Sequence, residues 1–272
     1  MLDGILCMVT CPIDMCSTAT VELSSGEGAI SAPEDSPKAS RAVRETLQHL
    51  GESGVDAHLF LDSGIPRGKG MASSTADVSA AIVATASAAG HELAPAQIAK
   101  IALGIEPSDG VMFPLIVIFD HREGRTLQPL GQPPPMRVLV LDFGGEVDTV
   151  EFNSACREST LRLLEPRMLE SVSLIEAGMR QGDISLIGKG ATISSVANQE
   201  ILFNPNLEAV IDLSAEVGAV GVNVAHSGTV IGMLFRDDVA LVEKATDLAR
   251  LRFGCLETVL HCRVTGGGVR LH

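Results

Sequence analysis

The feature that most constrains the fold is a segment rich in glycine and serine, residues 66–76, which separates two segments of different periodicity. Before it, residues 56–61 alternate between apolar and polar side chains, as the residues of a half-buried strand do. After it, residues 73–89 are dominated by Ala, Ser, Val and Thr, and Gly90 follows, which predicts a helix that other backbone can approach closely. The sequence therefore predicts a glycine loop between a strand and the beginning of a helix.

Such a loop is suited to binding an anion. Gly68 and Gly70 allow backbone N–H groups to turn towards a phosphate without interference from a Cβ atom. The free N–H groups and the positive dipole end of the following helix add to the attraction. Ser73 and Ser74 supply hydroxyls for a helix cap, a phosphate oxygen or a magnesium ion. This is not a Walker A loop, because Gly70 stands where that loop needs Ser or Thr. On these residues alone, a plain glycine turn with Ser73 as a cap is the alternative.

Composition sets the class of protein and excludes some partners. The 272 residues are 46% hydrophobic and 20% charged, which is typical of a globular protein with a sizeable core. Aromatic residues make up only 3% and the formal net charge is -14, so neither base stacking nor phosphate neutralisation favours nucleic-acid binding. A small anionic substrate needs only a local positive potential. Because the sequence has no charged leader and no apolar run long enough to span a bilayer, we expect a cytoplasmic protein with no membrane partner.

Strands and helices mix in both halves of the chain, without an internal repeat. The patterns predict a strand, a bend and a strand over residues 6–23, a strand over residues 56–61, a strand or buried segment over residues 111–120, a strand over residues 137–142 and a strand-turn-strand over residues 221–235. They predict helices over residues 41–50, 73–89, 94–103, 157–180, 184–199, 206–217 and 239–252. The strongest linker signal lies between the halves, at Gly131-Gln132-Pro133-Pro134-Pro135. We therefore predict two α+β domains, residues 1–131 with the phosphate-binding loop and residues 136–272.

The glycine loop resembles the Pro-x-x-x-Gly-Leu-Gly-Ser-Ser-Ala motif of the GHMP kinases, which include galactokinase, homoserine kinase and mevalonate kinase. Lys69 stands in place of the usual Leu, and Met71-Ala72 forms a short insertion before the Ser-Ser pair. In this form the motif is similar to that of the L-threonine kinases of cobamide synthesis. Further segments similar to that branch follow in the same order along the chain: Cys11-Pro12-Ile13-Asp14, Ile105-Glu106-Pro107-Ser108-Asp109, Phe119-Asp120-His121, Gln132-Pro133-Pro134-Pro135, Gly221-Val222-Asn223-Val224-Ala225-His226-Ser227-Gly228 and Val264-Thr265-Gly266-Gly267.

This resemblance implies a fold and a reaction. The fold is expected to be α+β, a two-domain GHMP kinase fold with a ribosomal S5 domain 2-like N-terminal domain and a ferredoxin-like C-terminal domain. The reaction is expected to use ATP and Mg2+ to phosphorylate the side-chain hydroxyl of L-threonine, giving O-phospho-L-threonine for the aminopropanol arm of cobalamin. Homoserine or another small hydroxylated acid is the alternative acceptor, since a pocket for one methyl group is worth only ~1–3 kcal/mol. The partner is then a small molecule, and a homodimer is left open.

The resemblance also assigns roles around the loop. Phosphoryl transfer needs charge neutralisation and positioning more than covalent chemistry. Glu106 and Asp109 follow a predicted helix three residues apart, and by resemblance Glu106 binds magnesium together with Ser74, while Asp109 activates the acceptor hydroxyl. These two roles are exchangeable, and two solvated acids in a helix-end turn are the alternative. Lys69 is assigned to the catalytic residues together with Glu106 and Asp109. The residues assigned to ATP are Pro66, Gly68, Lys69, Gly70, Met71, Ala72, Ser73, Ser74, Thr75 and Ala76.

The acceptor side is assigned to two other parts of the sequence. Asp14, on the early strand, is expected to hold the amino group of an amino-acid substrate, with a surface carboxylate as the alternative. The family's third glycine-rich motif is matched by a segment in which Asn223 and His226 would contact the substrate, and Ser227 and Gly228 the phosphate. For His226, a structural role in a turn is the alternative.

One pair of residues raises the alternative of a hydrolase. Asp120-His121, with a serine elsewhere, is compatible with a catalytic triad, but no Gly-x-Ser-x-Gly elbow accompanies the pair. The end of a hairpin explains it better.

The beginning of the sequence departs from the family pattern. GHMP kinases normally begin with a motif like Pro-Gly-Thr-Cys-Gly-Glu, whereas Met1-Leu2-Asp3-Gly4 resembles the segment just after it. On this comparison, either the start of the sequence was assigned too far downstream, or the protein lacks about one strand and its loop on the acceptor side. A catalytically inactive nucleotide-binding or regulatory homologue is therefore a second alternative, and ATP binding is expected to depend less on that piece than acceptor binding does.

Overall fold

A computed structural model describes residues 5–145 and 158–272 of the chain. These residues divide into two compact units, each built from separate segments. We call them the C-terminal unit, whose described residues are 5–6, Pro66–Met71, 130–145 and 158–265, and the N-terminal unit, which comprises Cys7–Ile65, Ala72–Pro129 and Gly266–His272. The contiguous domains 1–131 and 136–272 stay a prediction. Met1-Leu2-Asp3-Gly4 and Arg157, where one helix was expected to begin, lie outside the described residues.

The strands of the N-terminal unit form two small sheets. In one, β2 and β4 pair antiparallel along their whole length, from Ser17 opposite Ser63 to Ser25 opposite Val55, and β3 adds a parallel edge. In the other, β1 pairs antiparallel with β5, and β6 follows β5 in the sheet. The strands are β1 (Cys7–Val9), β2 (Ser17–Ser25), β3 (Ile30–Ser31), β4 (Val55–Ser63), β5 (Ile116–Asp120) and β6 (Leu127–Gly131).

Three helices cover the apolar residues of these sheets: α1 (Pro37–Leu50), α2 (Ser73–Ala88) and α3 (Pro95–Ile105). Helix α1 begins with a proline, which has no N–H to lose there, and ends at Gly51 in the left-handed conformation at φ 76°. Helix α2 buries small side chains, so α1 and β2 pack closely against it. The core of the unit includes Val43, Leu47, Leu59, Val78, Ile82, Ile98, Met112, Val117 and Phe119.

The C-terminal unit is a four-stranded antiparallel sheet with helices, in the strand order β10-β7-β9-β8. Its succession β7, α6, β8, β9, α7, β10 is the β-α-β-β-α-β pattern of a ferredoxin-like fold, with α4 and α5 inserted after β7. Strand β7 is almost entirely buried, which explains its unbroken apolar sequence. The elements are β7 (Met136–Asp142), α4 (Glu158–Gln181), α5 (Ile184–Asn198), α6 (Leu207–Val217), β8 (Gly221–Val224), β9 (Ile231–Arg236), α7 (Val239–Arg252) and β10 (Thr258–Arg263).

Most predicted elements are confirmed, and the exceptions have a physical reason. Helix α7 has the predicted bounds, residues 239–252, and the linker Gln132-Pro133-Pro134-Pro135 does separate two strands. Strand β6 was not predicted, because Pro129 interrupts its short, largely exposed sequence. The α+β fold class is confirmed in both units. Within the described residues, no helix combines the length and the apolar character needed to cross a bilayer.

Candidate active site

The first half of the glycine loop, Pro66–Met71, lies in the C-terminal unit and packs against the turn between β8 and β9. Gly68 and Gly70 have φ of 72° and 78°, the left-handed conformation that glycine adopts without strain. A Cβ atom on Gly70 would lie 2.7 Å from Gly228 Cα, and one on Gly228 would overlap the Lys69 carbonyl. The structure therefore brings the glycine loop and the segment that contains Gly228 into backbone contact, which only glycine allows at these two positions.

The Lys69 side chain does not extend into solvent from this loop. Its ammonium forms an ion pair with Asp142 at the end of β7, 3.0 Å from Oδ2 and 3.1 Å from Oδ1. It also donates a hydrogen bond to the Gly145 carbonyl at 3.0 Å. The side chains of Lys69 and Asp142 are only 15% and 10% exposed, so this pair is shielded from water far more than an ordinary surface ion pair.

The second half of the loop lies in the N-terminal unit, where α2 begins. Ala72 is the N-cap residue, with φ 59° and ψ 27°, and no side chain caps the helix. Ser73, for which a helix cap was one of three predicted roles, is the first residue of the helix. The first N–H groups of a helix have no partner within the helix, so the N–H groups of the first turn and the positive dipole end are available to an anion there.

Ser74, in this first turn, touches the carboxylate at the end of α3. Its hydroxyl hydrogen-bonds one oxygen of Glu106, and the Lys38 ammonium donates to the other oxygen. The Glu106 side chain is 14% exposed and that of Lys38 is 40% exposed. Arg41 donates to the Gly104 carbonyl at 2.8 Å, which helps to fix the end of α3 that carries Glu106. The predicted pair of Ser74 and Glu106 is therefore brought together, with a lysine as a third member.

Asp109 is held against the same turn of α2 through its backbone. The Asp109 N–H donates to Thr75 Oγ1 at 3.2 Å, and Thr75 is buried. Burial, and to a lesser extent the negative charge of Glu106, raises the pKa of the Asp109 carboxyl to about 6. The alternative of two freely solvated acids does not describe this pair, because Glu106 is bonded and Asp109 titrates near neutral pH.

A further buried carboxylate lies one turn along α2. Asp77 is 7% exposed and accepts a hydrogen bond from Ser17 Oγ, at the beginning of β2, at 2.6 Å. This bond ties the start of α2 to the first strand of the β2-β4-β3 sheet. Asp77 was not among the predicted site residues, although a carboxylate within a helix of small, buried residues needs a partner, which is a signal in itself.

The residues assigned to the acceptor lie in different parts of the fold. Asp14 is exposed in the connection between β1 and β2. Asn223 lies on β8, and its amide oxygen is buried against Gly232 with no hydrogen-bond partner among the described residues. His226 and Ser227 lie in the turn that follows β8, half-buried, and Gly228 contacts the glycine loop as described above.

Asp120 marks the end of a hairpin, as the sequence indicated. Its carboxylate accepts hydrogen bonds from the backbone N–H groups of Arg122, Glu123 and Arg125, at 3.1, 3.2 and 3.1 Å. Burial alone would raise the pKa of Asp120, but these backbone bonds outweigh it and lower the pKa. The carboxylate therefore stabilises the turn, which accounts for the Asp-His pair without a catalytic triad.

Comparison with known families identifies the family to which this chain belongs. The profile of the GHMP kinases N terminal domain matches residues 38–113, and that of the GHMP kinases C terminal domain matches residues 175–251, together more than half of the chain. The chain belongs to the GHMP kinase family. As a GHMP kinase it is a phosphotransferase that acts on a hydroxyl group of a small molecule.

Relatives and solved structures agree with this assignment. This GHMP kinase is 34% identical over 252 residues to the L-threonine kinase of Salmonella typhimurium, which covers 90% of the chain and 79% of that protein. It is 30% identical over 266 residues to the L-threonine kinase of Citrobacter freundii, covering 96% and 91%. The fold is like that of mevalonate kinase from L. major, with a TM-score of 0.75 at 13% identity, over 98% of this chain and 92% of that one. The two-domain GHMP kinase fold is thereby confirmed.

Sequence reasoning missed two residues that bind predicted site residues of this GHMP kinase. Lys38 follows the proline that starts α1, and a positive charge in the first turn opposes the helix dipole, so its presence there signals a nearby anion. Asp142 ends a buried apolar strand, where a carboxylate needs a partner. Both signals indicate that a partner exists, but neither indicates which residue it is.

Proposed function

We propose that this GHMP kinase uses ATP to phosphorylate the side-chain hydroxyl of L-threonine, giving O-phospho-L-threonine and ADP. The observation that carries the proposal is the contact between Ser74, in the first turn of α2, and the Glu106 carboxylate. Because this contact places a hydroxyl and a carboxylate beside the helix N–H groups, it provides an anion site and a cation site next to each other. A nucleotide bound to a divalent cation presents both charges together.

The glycine loop is the segment that we assign to the ATP phosphates. Gly68 and Gly70 have the left-handed conformation that turns backbone N–H groups towards an anion, and the uncapped start of α2 follows directly in the chain. The proposed ATP-binding residues are those predicted from the sequence: Pro66, Gly68, Lys69, Gly70, Met71, Ala72, Ser73, Ser74, Thr75 and Ala76.

The oxygen donors present are those that magnesium prefers. Mg2+ binds proteins through one or two oxygen side chains and completes its shell with water and substrate phosphates. Ser74 and Glu106 supply a hydroxyl and a carboxylate oxygen in contact with each other, and we propose that they hold the ion that accompanies ATP. When bound, it neutralises part of the charge on the phosphates. Among the described residues, no three His, Cys, Asp or Glu side chains converge on one point.

We propose that Asp109 is the base that accepts the proton of the acceptor hydroxyl. A carboxyl with a pKa of about 6 is mostly ionised at neutral pH and still basic enough to take up a proton in the transition state. The acceptor oxygen forms the new bond to the γ-phosphorus, the bond from that phosphorus to the ADP oxygen breaks, and the hydroxyl proton passes to Asp109. The bond from the Asp109 N–H to Thr75 holds the backbone of the base beside the first turn of α2.

The choice of acceptor rests on the relatives. The two relatives described above carry the name L-threonine kinase and are 34% and 30% identical to this chain. We propose L-threonine as the acceptor on this ground, with the product serving the aminopropanol arm of cobalamin synthesis. Asp14 is the proposed partner of the substrate amino group. Asn223, His226, Ser227 and Gly228 stay proposed substrate-binding residues, and homoserine is the first rival acceptor.

A coupled assay of ADP release tests the proposal. We expect release from Mg-ATP to depend on L-threonine and to exceed that with L-serine, L-homoserine or no acceptor. A preference for L-homoserine would replace the acceptor but keep the kinase. Nucleotide binding without turnover of any acceptor would favour the inactive regulatory homologue.

Variants of the site locate the activity. Ser74→Ala and Glu106→Gln are each expected to reduce kcat/KM by about a hundredfold or more, in the range seen when one catalytic electrostatic contact is removed. Ser87→Ala, at an exposed position near the other end of α2, is the matched control and should leave turnover unchanged. Undiminished turnover in the combined Ser74→Ala, Glu106→Gln variant would refute the assigned site.

A further inference from the structure

Lys69 is the residue in which this chain departs from the usual Gly-Leu-Gly of the glycine loop, and its environment is unusual for a phosphate-binding lysine. An ammonium has three N–H donors and no acceptor. Three oxygens lie within 3.1 Å of Lys69 Nζ, namely both carboxylate oxygens of Asp142 and the carbonyl oxygen of Gly145. The donors of this ammonium are therefore already matched by acceptors of the C-terminal unit itself.

Asp142, the acceptor in this contact, is held in place by other contacts. Asp142 is the last residue of β7, an interior strand of the four-stranded sheet, and is 7% exposed. Its Oδ1 also accepts the Gly144 N–H at 2.9 Å, and its carbonyl accepts the Glu257 N–H at 2.9 Å. A carboxylate with so many fixed contacts changes position little, so it suits the role of an anchor.

Lys69, the donor in this contact, lies in a backbone segment with little intrinsic rigidity. Gly68 and Gly70 flank Lys69, and glycine loses more conformational freedom on ordering than any other residue. One side of the loop is fixed by the close approach of Gly70 to Gly228. A second attachment at Lys69 restricts the loop further before any ligand binds, and such preorganisation increases affinity because less ordering is left to occur on binding.

We propose that Lys69 is a positioning residue that fastens the glycine loop to β7 through Asp142, and that its charge is used by Asp142 and not by phosphate. This inference rests on the proposed function in that the fastened loop is the one that holds ATP. It differs from the expectation from sequence, in which Lys69 is itself catalytic. It also gives Asp142, 73 positions away in the chain, a role in nucleotide binding.

A double-mutant cycle with Lys69→Met, Asp142→Asn and the combined variant tests this assignment. If the pair acts as one attachment, each single variant raises the Kd for Mg-ATP about tenfold, which corresponds to ~1.4 kcal/mol, and the combined variant raises it no further. KM for ATP should rise with kcat largely preserved. Asp142→Asn is the decisive variant, because it releases the loop while leaving the Lys69 charge in place. If it binds Mg-ATP as well as or better than the unaltered protein while Lys69→Met binds it worse, Lys69 is a direct phosphate ligand and the inference is wrong.

A second measurement tests the attachment in the nucleotide-free protein. Trypsin cleaves after Arg67, which is exposed in the first half of the loop, and cleavage requires the loop to open locally. We expect both single variants to be cut there several-fold faster than the unaltered protein, with the fragment identified by mass. Unchanged cleavage together with an unchanged Kd would overturn the inference. If the unaltered protein binds no ATP at all, the proposed function fails, and the cleavage rates still decide whether the attachment exists.

The chain offers a matched control for the Asp→Asn change. Asp237 forms an ion pair with Arg137, near the other end of the same strand β7, with Arg137 Nε 2.6 Å from Asp237 Oδ1. Asp237→Asn removes a comparable carboxylate charge from the same unit without touching the loop. We expect it to leave both the Kd for Mg-ATP and the cleavage after Arg67 unchanged. If it mimics Asp142→Asn, the effect comes from the loss of charge in general and the inference is contradicted.

Discussion

The Lys38 ammonium donates a hydrogen bond to the Glu106 carboxylate, across 68 positions of sequence. Lys38 lies in the first turn of α1, where the helix dipole disfavours positive charge, so the interaction with Glu106 compensates for an unfavourable position. Ser74 bonds the other oxygen of the same carboxylate. The Lys38 ammonium therefore occupies one of the two oxygens of Glu106, the proposed metal ligand. Magnesium binding through that oxygen has to compete with Lys38.

We therefore predict that Lys38→Met lowers the Mg2+ concentration needed for half-maximal turnover. The Lys38 side chain is 40% exposed, and exposed ion pairs contribute about 0–1 kcal/mol, so the expected change is up to about fivefold. Titration of turnover with Mg2+ at saturating ATP measures it. Arg44→Met, an exposed cation on the same helix, is the control and should leave the titration unchanged. A higher Mg2+ requirement in Lys38→Met would mean that the lysine assists the metal site instead of competing with it.

The raised pKa of Asp109 predicts how activity depends on pH. If Asp109 is the base, only its ionised form accepts the hydroxyl proton, so kcat/KM should fall below pH 6, about tenfold per pH unit. Above about pH 7 the carboxyl is fully ionised and this group no longer limits the rate. The measurement is kcat/KM for L-threonine between pH 5 and 9 at constant ionic strength. A rate that stays constant down to pH 5 would remove Asp109 from the role of base.

The raised pKa of Asp109 also predicts a change in the free energy of unfolding, which does not depend on catalysis. Folding raises the pKa of Asp109 from 3.8 to about 6, chiefly by burial. The folded chain therefore holds this proton more tightly than the unfolded chain, and the stability it contributes at low pH is lost as pH rises through about 6. Asp109→Asn, which carries no charge, should raise the free energy of unfolding at pH 8 by about 1–2 kcal/mol, allowing for screening of a half-buried group.

Denaturant unfolding of both proteins at several pH values measures this difference. The gain from Asp109→Asn should shrink on going from pH 8 to pH 4 and be absent below about pH 4, where the native carboxyl is protonated in both states. Asp62→Asn, at an exposed position on β4, is the control and should show no such trend. A gain that is constant with pH would show that loss of the Asp109 charge is not its cause.

Local patterns were enough to predict the elements, but not the contacts that form the site. Helix α2 begins at Ser73 and α7 spans residues 239–252, as predicted, because periodicity and the residues at helix ends act over a few positions. The partner of Lys69 lies 73 positions away, and periodicity identifies a face of an element without identifying what meets it. For this reason Lys69 was expected to be catalytic from its loop alone, whereas its contact with Asp142 is visible only in the fold.

The paired carboxylates illustrate the same limit. The spacing of Glu106 and Asp109 indicated that the two could act together, but it did not separate their environments. In the structure Glu106 is bonded to Ser74 and Lys38, while Asp109 is attached to Thr75 only through its backbone N–H, and burial raises its pKa. The environments, not the sequence positions, favour Glu106 as the ligand and Asp109 as the base.

Ala72 provides a test of strain in the proposed phosphate segment. It is the one residue other than glycine with positive φ among the described residues, at 59°. The left-handed conformation costs a residue with a Cβ atom roughly 1–2 kcal/mol, and such strain is typical of functional sites. Ala72→Gly removes it but makes the unfolded chain more flexible by ~0.5–1 kcal/mol. The free energy of unfolding should therefore stay the same or rise by up to about 1.5 kcal/mol.

A glycine at the other end of the same helix should have the opposite effect. Ala89, which follows α2, has φ -82°, a conformation that alanine adopts without strain, so Ala89→Gly should lower the free energy of unfolding by about 0.5–1 kcal/mol. Denaturant unfolding of the two variants gives the comparison. Ala72→Gly should also weaken Mg-ATP binding several-fold, because the more flexible loop has more to order on binding. Equal destabilisation by the two substitutions would show that Ala72 is not strained, and unchanged ATP affinity would show that its conformation is not needed for phosphate.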